Sequence, residues 1–202
     1  MAFLCGCQTG SHSEPETVTD SSSGVAYRKD KDLQKVWLAD GFDFTGNDAL
    51  WIAPTVFKAT ERTNEVEMRS WAVAYLQEAF ANSIRTSGVF RLVSTNQADL
   101  PPNSKALKLE DTIVEYEKGG GGARYFAGLY GAGQPVIKVH GRMLATDKPV
   151  FEFESRRSGD SGMGRAFGGF MSDKDVQQRD INDLAKDLAD FVIRTAKHLP
   201  PR

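Results

Sequence analysis

Two segments of the chain repeat apolar residues three and four positions apart, which is typical of an α-helix with one buried face. The apolar positions of the first segment are Met68, Trp71, Ala72, Tyr75, Leu76, Ala79, Phe80 and Ile84. Asn64 and Glu67 resemble a capping box at its beginning, and Gly88 is placed to end it. The face of the second segment carries Ile181, Leu184, Leu188, Phe191, Val192 and Thr195, with Ser172 as its capping residue. The pattern predicts two amphipathic helices.

The clearest strands are residues 136–145 and 150–157, which alternate apolar and polar side chains. Residues 146–149 between them have turn chemistry, so the pair is predicted to form a β-hairpin. The polar positions of the pair carry opposite charges, which predicts ion pairs across an outward face. These positions are Lys138, His140, Arg142, Glu152, Glu154 and Arg156.

Other segments are rich in β-branched and aromatic residues and predict further strands. They cover residues 36–44, 49–59, 89–94 and 105–119. Pro54 favours an edge or a bulge in the second of these, and a change of parity predicts a bulge near Asp111 in the last. The order of elements predicts an α/β (α+β) domain. In this fold two amphipathic helices pack on a mostly antiparallel sheet of four to five strands.

Composition bounds the class of protein. The chain has 202 residues, of which 40% are hydrophobic, and a net charge of −2, as expected of one domain with a tail. The net charge gives no reason to expect a nucleic-acid partner, which requires clustered Lys and Arg. No run of about 18 apolar residues is present to span a membrane.

The N-terminal region divides into two parts. Residues 8–30 are rich in Ser, Thr, Asp and Glu and poor in large apolar residues, so they are predicted to be a disordered tether. A single α/β domain is expected over residues 31–202. It contains glycine-rich loops at residues 119–133 and 158–170.

The glycine-rich loops lack the context of a nucleotide site. A Walker loop needs Gly-Lys-Ser/Thr at the beginning of a helix, and a dinucleotide fingerprint needs a strand-to-helix turn. Neither loop has these features, and no cofactor is predicted. The loops are either an adaptable binding surface or a cover for the open end of the sheet. The candidate binding residues are Arg124, Tyr125, Phe126, Tyr130, Arg165 and Phe167.

No catalytic or metal-binding residue is predicted. The histidines His12, His140 and His198 share no local motif with one another or with a cysteine. Ser161 lies in a Gly-Asp-Ser-Gly tetrapeptide, but the strand-to-helix turn of a nucleophile elbow is missing.

Leu4-Cys5-Gly6-Cys7 resembles a bacterial lipobox. The resemblance implies cleavage before Cys7 and lipidation of its thiol, with residues 1–7 the remnant of a signal peptide. Gln8 resembles residues that permit sorting to the outer membrane. Because only three residues precede the box, a translation start upstream of Met1 is expected, which would place the protein on the periplasmic face of the outer membrane. Without such a start it would be cytoplasmic. The alternative is a Cys-x-Cys metal or redox pair, although structural zinc takes four ligands.

Residues 108–198 resemble domain-of-unknown-function family 4410, a group of bacterial envelope lipoproteins. The resemblance rests on RYFAGLYGAG at residues 124–133, the hairpin after it, and a terminal amphipathic helix after a glycine-rich stretch. It implies a membrane-anchored envelope lipoprotein, a non-enzymatic binding or assembly module with an envelope protein as its partner. The alternatives are a small-ligand binding protein that uses the glycine and aromatic loops, and a soluble enzyme of unknown chemistry.

Overall fold

The computed structural model describes residues 17–19, 26–59, 66–117, 119, 135–159 and 172–199. The strands are β1 (Thr17–Thr19), β2 (Ala26–Asp30), β3 (Gln34–Leu38), β4 (Ala49–Ile52), β5 (Val56–Phe57), β6 (Leu92–Ser94), β7 (Ala106–Glu117), β8 (Val136–Ala145) and β9 (Lys148–Ser158). The α-helices are α1 (Val66–Ser87) and α2 (Asp173–Ala196). Short 3-10 helices cover Phe44–Gly46 and Gln97–Asp99.

The strands of the described residues form one mixed sheet in the order β1-β2-β3-β9-β8-β7-β4-β6, with β5 also paired to β7. Five pairings are antiparallel, whereas β4 runs parallel to β6 and β7, and β5 runs parallel to β7. The predicted α+β class is confirmed, but the predicted sheet of four to five mostly antiparallel strands is too small and misses the parallel pairs. The prediction did not include β1 and β2, and it treated β4 and β5 as one segment, residues 49–59.

The domain begins earlier than predicted. Residues 17–19 and 26–30, which were expected in the tether, form β1 and β2 at the edge of the sheet. β2 pairs with β3, and the hydroxyl of Tyr27 donates to the Glu152 carboxylate at 2.5 Å. The polar sequence of β2 does not predict a strand. Its backbone can still pair with the edge of the sheet, because this pairing does not depend on apolar side chains. Residues 8–16 lie outside the described residues.

The predicted hairpin is confirmed as β8 and β9. Its two connecting residues, Thr146 and Asp147, have φ angles of 47° and 65°, and Ala145 pairs with Lys148. Positive φ at both central residues is what a type I′ turn requires, and the twist of this turn matches that of antiparallel strands. The bulge in β7 lies between Ile113 and Glu115 rather than near Asp111.

Both helices pack their apolar stripes on one face of the sheet. The predicted stripes of α1 and α2 are buried or half-buried at every described position, apart from Met68, whose side chain is not described. Gly88 has a φ angle of 69° after α1, and the Ser172 side chain accepts from the Asp175 N–H at the beginning of α2. The Asn64 cap lies outside the described residues. Aromatic rings connect the layers, since Phe151 of β9 stacks on Phe191 of α2 at 4.8 Å between centroids.

The opposite face of the sheet is polar, and the predicted cross-strand ion pairs are present there. Lys35 of β3 and Lys138 of β8 both reach the Glu154 carboxylate, at 2.9 and 3.1 Å. Arg142 pairs with Glu110 of β7 at 2.7 Å. One face of the sheet therefore carries the helices and the apolar core, and the other carries side chains of alternating charge.

Candidate functional site

The residues predicted to carry function lie outside the described part of the chain. They are Cys7, Arg124, Tyr125, Phe126, Tyr130, Arg165 and Phe167. The glycine-rich loops are described only at Gly119, Ser158 and Gly159. Both roles, lipidation of Cys7 and binding by the loops, stay predictions.

The described residues line a pocket of about 250 Å³, open on one side to solvent, at the β2 side of the sheet and beneath the C-terminal end of α2. Strand β2 contributes two residues to its wall, β3 and the loop after it contribute two more, and α2 with the residues after it contributes the rest. The lining residues are Arg28, Asp30, Leu38, Phe42, Phe191, Arg194, Thr195, His198 and Leu199. We call this the α2 pocket.

The alternation of β2 and β3 explains why polar residues face the pocket. Arg28 pairs with Val36 in the β2–β3 register, and Val36 is fully buried on the helix side of the sheet. Arg28 and Asp30 share this side because successive residues of a strand point to opposite faces. Their side chains therefore lie under α2, where its last turns cross the edge of the sheet.

The ring of Phe191 forms part of the pocket wall and contacts two guanidinium groups. The guanidinium carbon of Arg28 lies 5.8 Å from the ring centroid and that of Arg194 lies 5.9 Å from it. Both distances are within the range of a cation–π interaction, which is worth about 0.5–2 kcal/mol depending on desolvation. The aromatic core thus brings two cationic groups to one small cavity.

Arg194 is held by two carboxylates. Its Nη1 atom is 2.7 Å from Asp32 and its Nη2 atom is 3.6 Å from Asp30. Asp30 is itself fixed, because its Oδ1 atom accepts from the backbone N–H groups of Asp32 and Leu33 at 3.0 and 2.9 Å. Only 8% of the Arg194 side chain is exposed, so these carboxylates compensate a buried charge.

A neighbouring arginine ties the same turn to α2. Arg157 of β9 donates to the Asp32 carbonyl at 2.6 Å and pairs with Asp187 of α2 at 2.5 Å. Burial raises the pKa of Asp187 above its ordinary value, although the charge of Arg157 acts in the opposite direction. The β2–β3 turn, β9 and α2 therefore meet in one network of charges beside the α2 pocket.

Arg28 differs from these two arginines because it forms no ion pair with any residue that the structure describes. Its guanidinium instead contacts the ring of Phe191. Arg194 also has N–H groups that form no hydrogen bond with a described residue. Its Nε and Nη2 atoms are buried, and neither donates to an acceptor in the described part of the chain. The α2 pocket thus combines one guanidinium that has no ion pair with a described residue and a second whose Nε and Nη2 atoms form no hydrogen bond with one.

The outer wall of the α2 pocket is apolar. Leu38 and Phe42 are half-buried, and Leu199 is 52% exposed at the rim. Phe42 is positioned by an edge-to-face contact with the buried ring of Phe44 at 5.2 Å between centroids. A cavity with apolar walls and a few converging polar groups is the usual form of a small-ligand site.

His140 lies on the polar face of the sheet, far from a catalytic arrangement. It is exposed and contacts Glu154 at 2.6 Å, the carboxylate already paired with Lys35 and Lys138. Burial opposes ionisation of Glu154, but hydrogen bonds from Lys35, Lys138 and His140 outweigh it and lower its pKa to about 2. The group is an ion-pair cluster.

Two buried carboxyl groups were not foreseen from the sequence. Burial raises the pKa of Asp111 to about 7. Its oxygen atoms form no hydrogen bond of normal geometry with a described residue, and the nearby Thr55 hydroxyl is no exception. Burial also raises the pKa of Asp180 to about 6, with Arg179 opposing the effect. Both lie on the core side of their elements, away from the α2 pocket lining.

The sequence analysis also did not predict that Arg28 and Arg194 line a pocket. Arg194 follows Phe191 by three positions, so it lies on the buried face of the second helix, and a charge on that face is the signal that the sequence offers. Arg28 gives no such signal, because its strand was not predicted.

Among the described residues, no three His, Cys, Asp or Glu side chains are arranged to hold a metal ion. No described helix has the length and hydropathy needed to cross a membrane.

No family model and no curated protein matches the chain, so the resemblance to family 4410 stays a prediction. Solved structures do show similarity. The PelC dodecamer from Paraburkholderia phytofirmans is 14% identical, with a TM-score of 0.48, over 76% of this chain and 94% of that one. Protein XCC0632 from Xanthomonas campestris, of family DUF330, is 12% identical, with a TM-score of 0.43, over 75% and 86%.

A third similar structure is lipoprotein GNA1162 from Neisseria meningitidis, which is 14% identical, with a TM-score of 0.26, over 59% of this chain and 88% of that one. At these identities and TM-scores no function is transferred to this chain.

Proposed function

We propose that this protein is a bacterial envelope lipoprotein, anchored through Cys7, whose α+β domain is a binding or assembly module. The observation that carries the proposal is the segment Leu4-Cys5-Gly6-Cys7, followed by a polar stretch and then by the folded domain. A leucine three positions before the modified cysteine and a glycine directly before it fit the lipobox pattern. A membership of family 4410 would agree with this role.

The chemistry of the anchor favours stable attachment. Each buried CH₂ group of an acyl chain contributes about 0.8 kcal/mol, so a diacylglyceryl group with a further acyl chain holds a domain where a single chain is marginal. Gln8, directly after the modified cysteine, favours the outer membrane, and the domain would then face the periplasm. The polar residues between Cys7 and β1 would separate the lipid from the sheet.

The two neighbouring cysteines provide a matched test. The gene, with its own upstream DNA, is expressed in bacterial cells that are grown with radioactive palmitate. Wild-type protein and Cys5→Ser are expected to carry the label and to fractionate with membranes, because Cys5 is removed with the leader. Cys7→Ser is expected to lose the label and to leave the membrane fraction. Label that persists in Cys7→Ser, or its absence from the wild type, contradicts the proposal.

A second role, small-ligand binding, is favoured by a separate observation. The α2 pocket combines apolar walls with guanidinium donors that no described residue satisfies. None of its lining residues belongs to the glycine-rich loops to which the sequence had assigned this role. A lipid-anchored domain with such a pocket would present a ligand site at the membrane surface.

A further inference from the structure

We propose that the α2 pocket binds a carboxylate that carries a short apolar group, with Arg28 and Arg194 as the groups that bind the carboxylate. The inference deepens the ligand-binding role proposed above and does not depend on the lipid anchor. The residues that line the cavity determine the charge, the size and the polarity of the ligand.

The first step is the supply of donors. A guanidinium has five N–H groups, and those of Arg194 at Nε and Nη2 are buried with no hydrogen-bond acceptor among the described residues. A buried donor without an acceptor is unfavourable. Arg194 lines the cavity, so a ligand oxygen that displaced the groups covering these two atoms would remove this penalty. The pocket therefore favours a molecule with at least two acceptor atoms close together.

The second step is the charge of the ligand. The lining residues Arg28, Arg194 and Asp30 together carry one net positive charge, and Arg28 is the arginine among them that has no ion pair with a described residue. The C-terminal end of α2, which adds partial negative charge, is at the same place. One uncompensated guanidinium beside this helix end suits a single negative charge better than a phosphate dianion. The planar fork of arginine also matches the two oxygens of a carboxylate.

The third step is the size of the ligand. A cavity of about 150 Å³ lined by apolar residues is large enough for benzene, and the α2 pocket measures about 250 Å³. There is room for a carboxylate and one ring or a short alkyl chain. Leu38, Phe42 and Leu199 would cover that apolar part, and Leu199 at the rim leaves the pocket open to solvent.

Two sources share this chemistry: a free small carboxylic acid, and the C-terminus of a peptide that ends in an apolar residue. They differ at the rim of the pocket, because a peptide continues into solvent past Leu199 whereas a small acid ends inside. The experiment therefore includes both kinds of molecule and compares each with its amide, which keeps the shape and loses the charge.

The test is titration calorimetry of the full chain with 3-phenylpropionate, hexanoate and a short peptide ending in leucine. Each carboxylate is expected to bind at least tenfold more tightly than its amide. A stronger response to the free acids assigns a small-molecule site, and a stronger response to the peptide assigns a chain terminus; both support a carboxylate site. Equal affinity for acid and amide, or no binding of any of the three carboxylates at millimolar concentration, overturns it.

Arg28→Gln is the decisive variant because Arg28 has no described ion pair to lose and the fold does not depend on one there. It is expected to weaken carboxylate binding at least tenfold and to weaken binding of the amide much less, so that the preference for acid over amide is largely lost. Arg142→Gln, which removes a cation from the opposite face of the sheet, is the matched control and should bind as the wild type does. Phe42→Ala is expected to weaken binding of acid and amide alike. Unchanged carboxylate affinity in Arg28→Gln contradicts the proposal.

Discussion

Gly141 of β8 lies directly beneath the ring of Phe153 of β9, its partner across the antiparallel pair. A β-carbon added at Gly141 would stand 3.0 Å from Cδ1 of that ring and closer still to two other ring atoms. Phe153 in turn packs against Phe80 of α1 in an edge-to-face contact at 6.1 Å. The absence of a side chain at one residue thus lets a core ring lie flat on the sheet and reach the helix layer.

Gly141→Ala is therefore expected to destabilise the protein by about 1–3 kcal/mol, the usual cost of overpacking a core. The measurement is the midpoint of urea unfolding at constant slope. Gly46→Ala is the control, because no atom lies within 4 Å of a β-carbon there, and it should change stability by less than about 0.5 kcal/mol. Equal effects of the two substitutions would show that the ring does not occupy this position.

Asp111 lies on β7, the other neighbour of β8, where it pairs with Gly141 and is buried in the core. Burial raises its pKa from 3.8 to about 7, so between these two pH values the folded protein holds a proton that the unfolded chain releases. Stability must then fall as the pH rises through this window, by about 4 kcal/mol in total for this one residue. Above pH 7 the buried carboxylate is charged and the full cost is present.

Asp111→Asn is expected to remove this dependence, so that the variant gains stability relative to the wild type as the pH rises from 4 to 7. Urea unfolding across that range measures the difference. Asp180, whose pKa is raised to about 6, contributes a remaining slope of the same sign in both proteins. Asp40→Asn, which removes a carboxyl group from an exposed position, is the matched control. A profile for Asp111→Asn parallel to that of the wild type would refute the assignment.

Arg194 and Arg142 contrast a buried and an exposed ion pair. Arg194→Gln leaves Asp30 and Asp32 without their cation beneath α2 and is expected to cost about 3–5 kcal/mol. Arg142 pairs with Glu110 on the outer face with 55% of its side chain exposed, and Arg142→Gln should cost less than about 1 kcal/mol. Guanidinium chloride masks charge effects, so urea is the denaturant of choice. Similar losses in the two variants would mean that the network beside the pocket is not buried.

The elements that could be predicted from the sequence are those with long periodic patterns. The stripes that end in Ile84 and Thr195, and the alternation of the 136–157 hairpin, each extend over enough residues for one period to dominate. Their caps at Gly88 and Ser172 followed from local chemistry. These features depend on neighbours in the chain and needed no knowledge of the fold.

The parts that could not be predicted depend on contacts between distant segments. Strand β2 is polar and joins the sheet because β3 offers an edge, and β4 is placed beside β7 by a parallel pairing between segments far apart in the chain. The α2 pocket brings Arg28 to Arg194, residues from opposite ends of the chain. Neither residue belongs to a recognisable local motif. The pocket could therefore be identified only once the fold had brought the two residues together.

The most direct measurement of the central claim is mass spectrometry of the mature N-terminal peptide, purified from bacterial membranes after expression from the gene with its upstream DNA. The proposal predicts a first residue of Cys7 that carries a diacylglyceryl thioether, with Gln8 next and no trace of Cys5. An intact peptide that contains Leu4-Cys5-Gly6-Cys7 with both thiols unmodified would contradict a lipid anchor at this position.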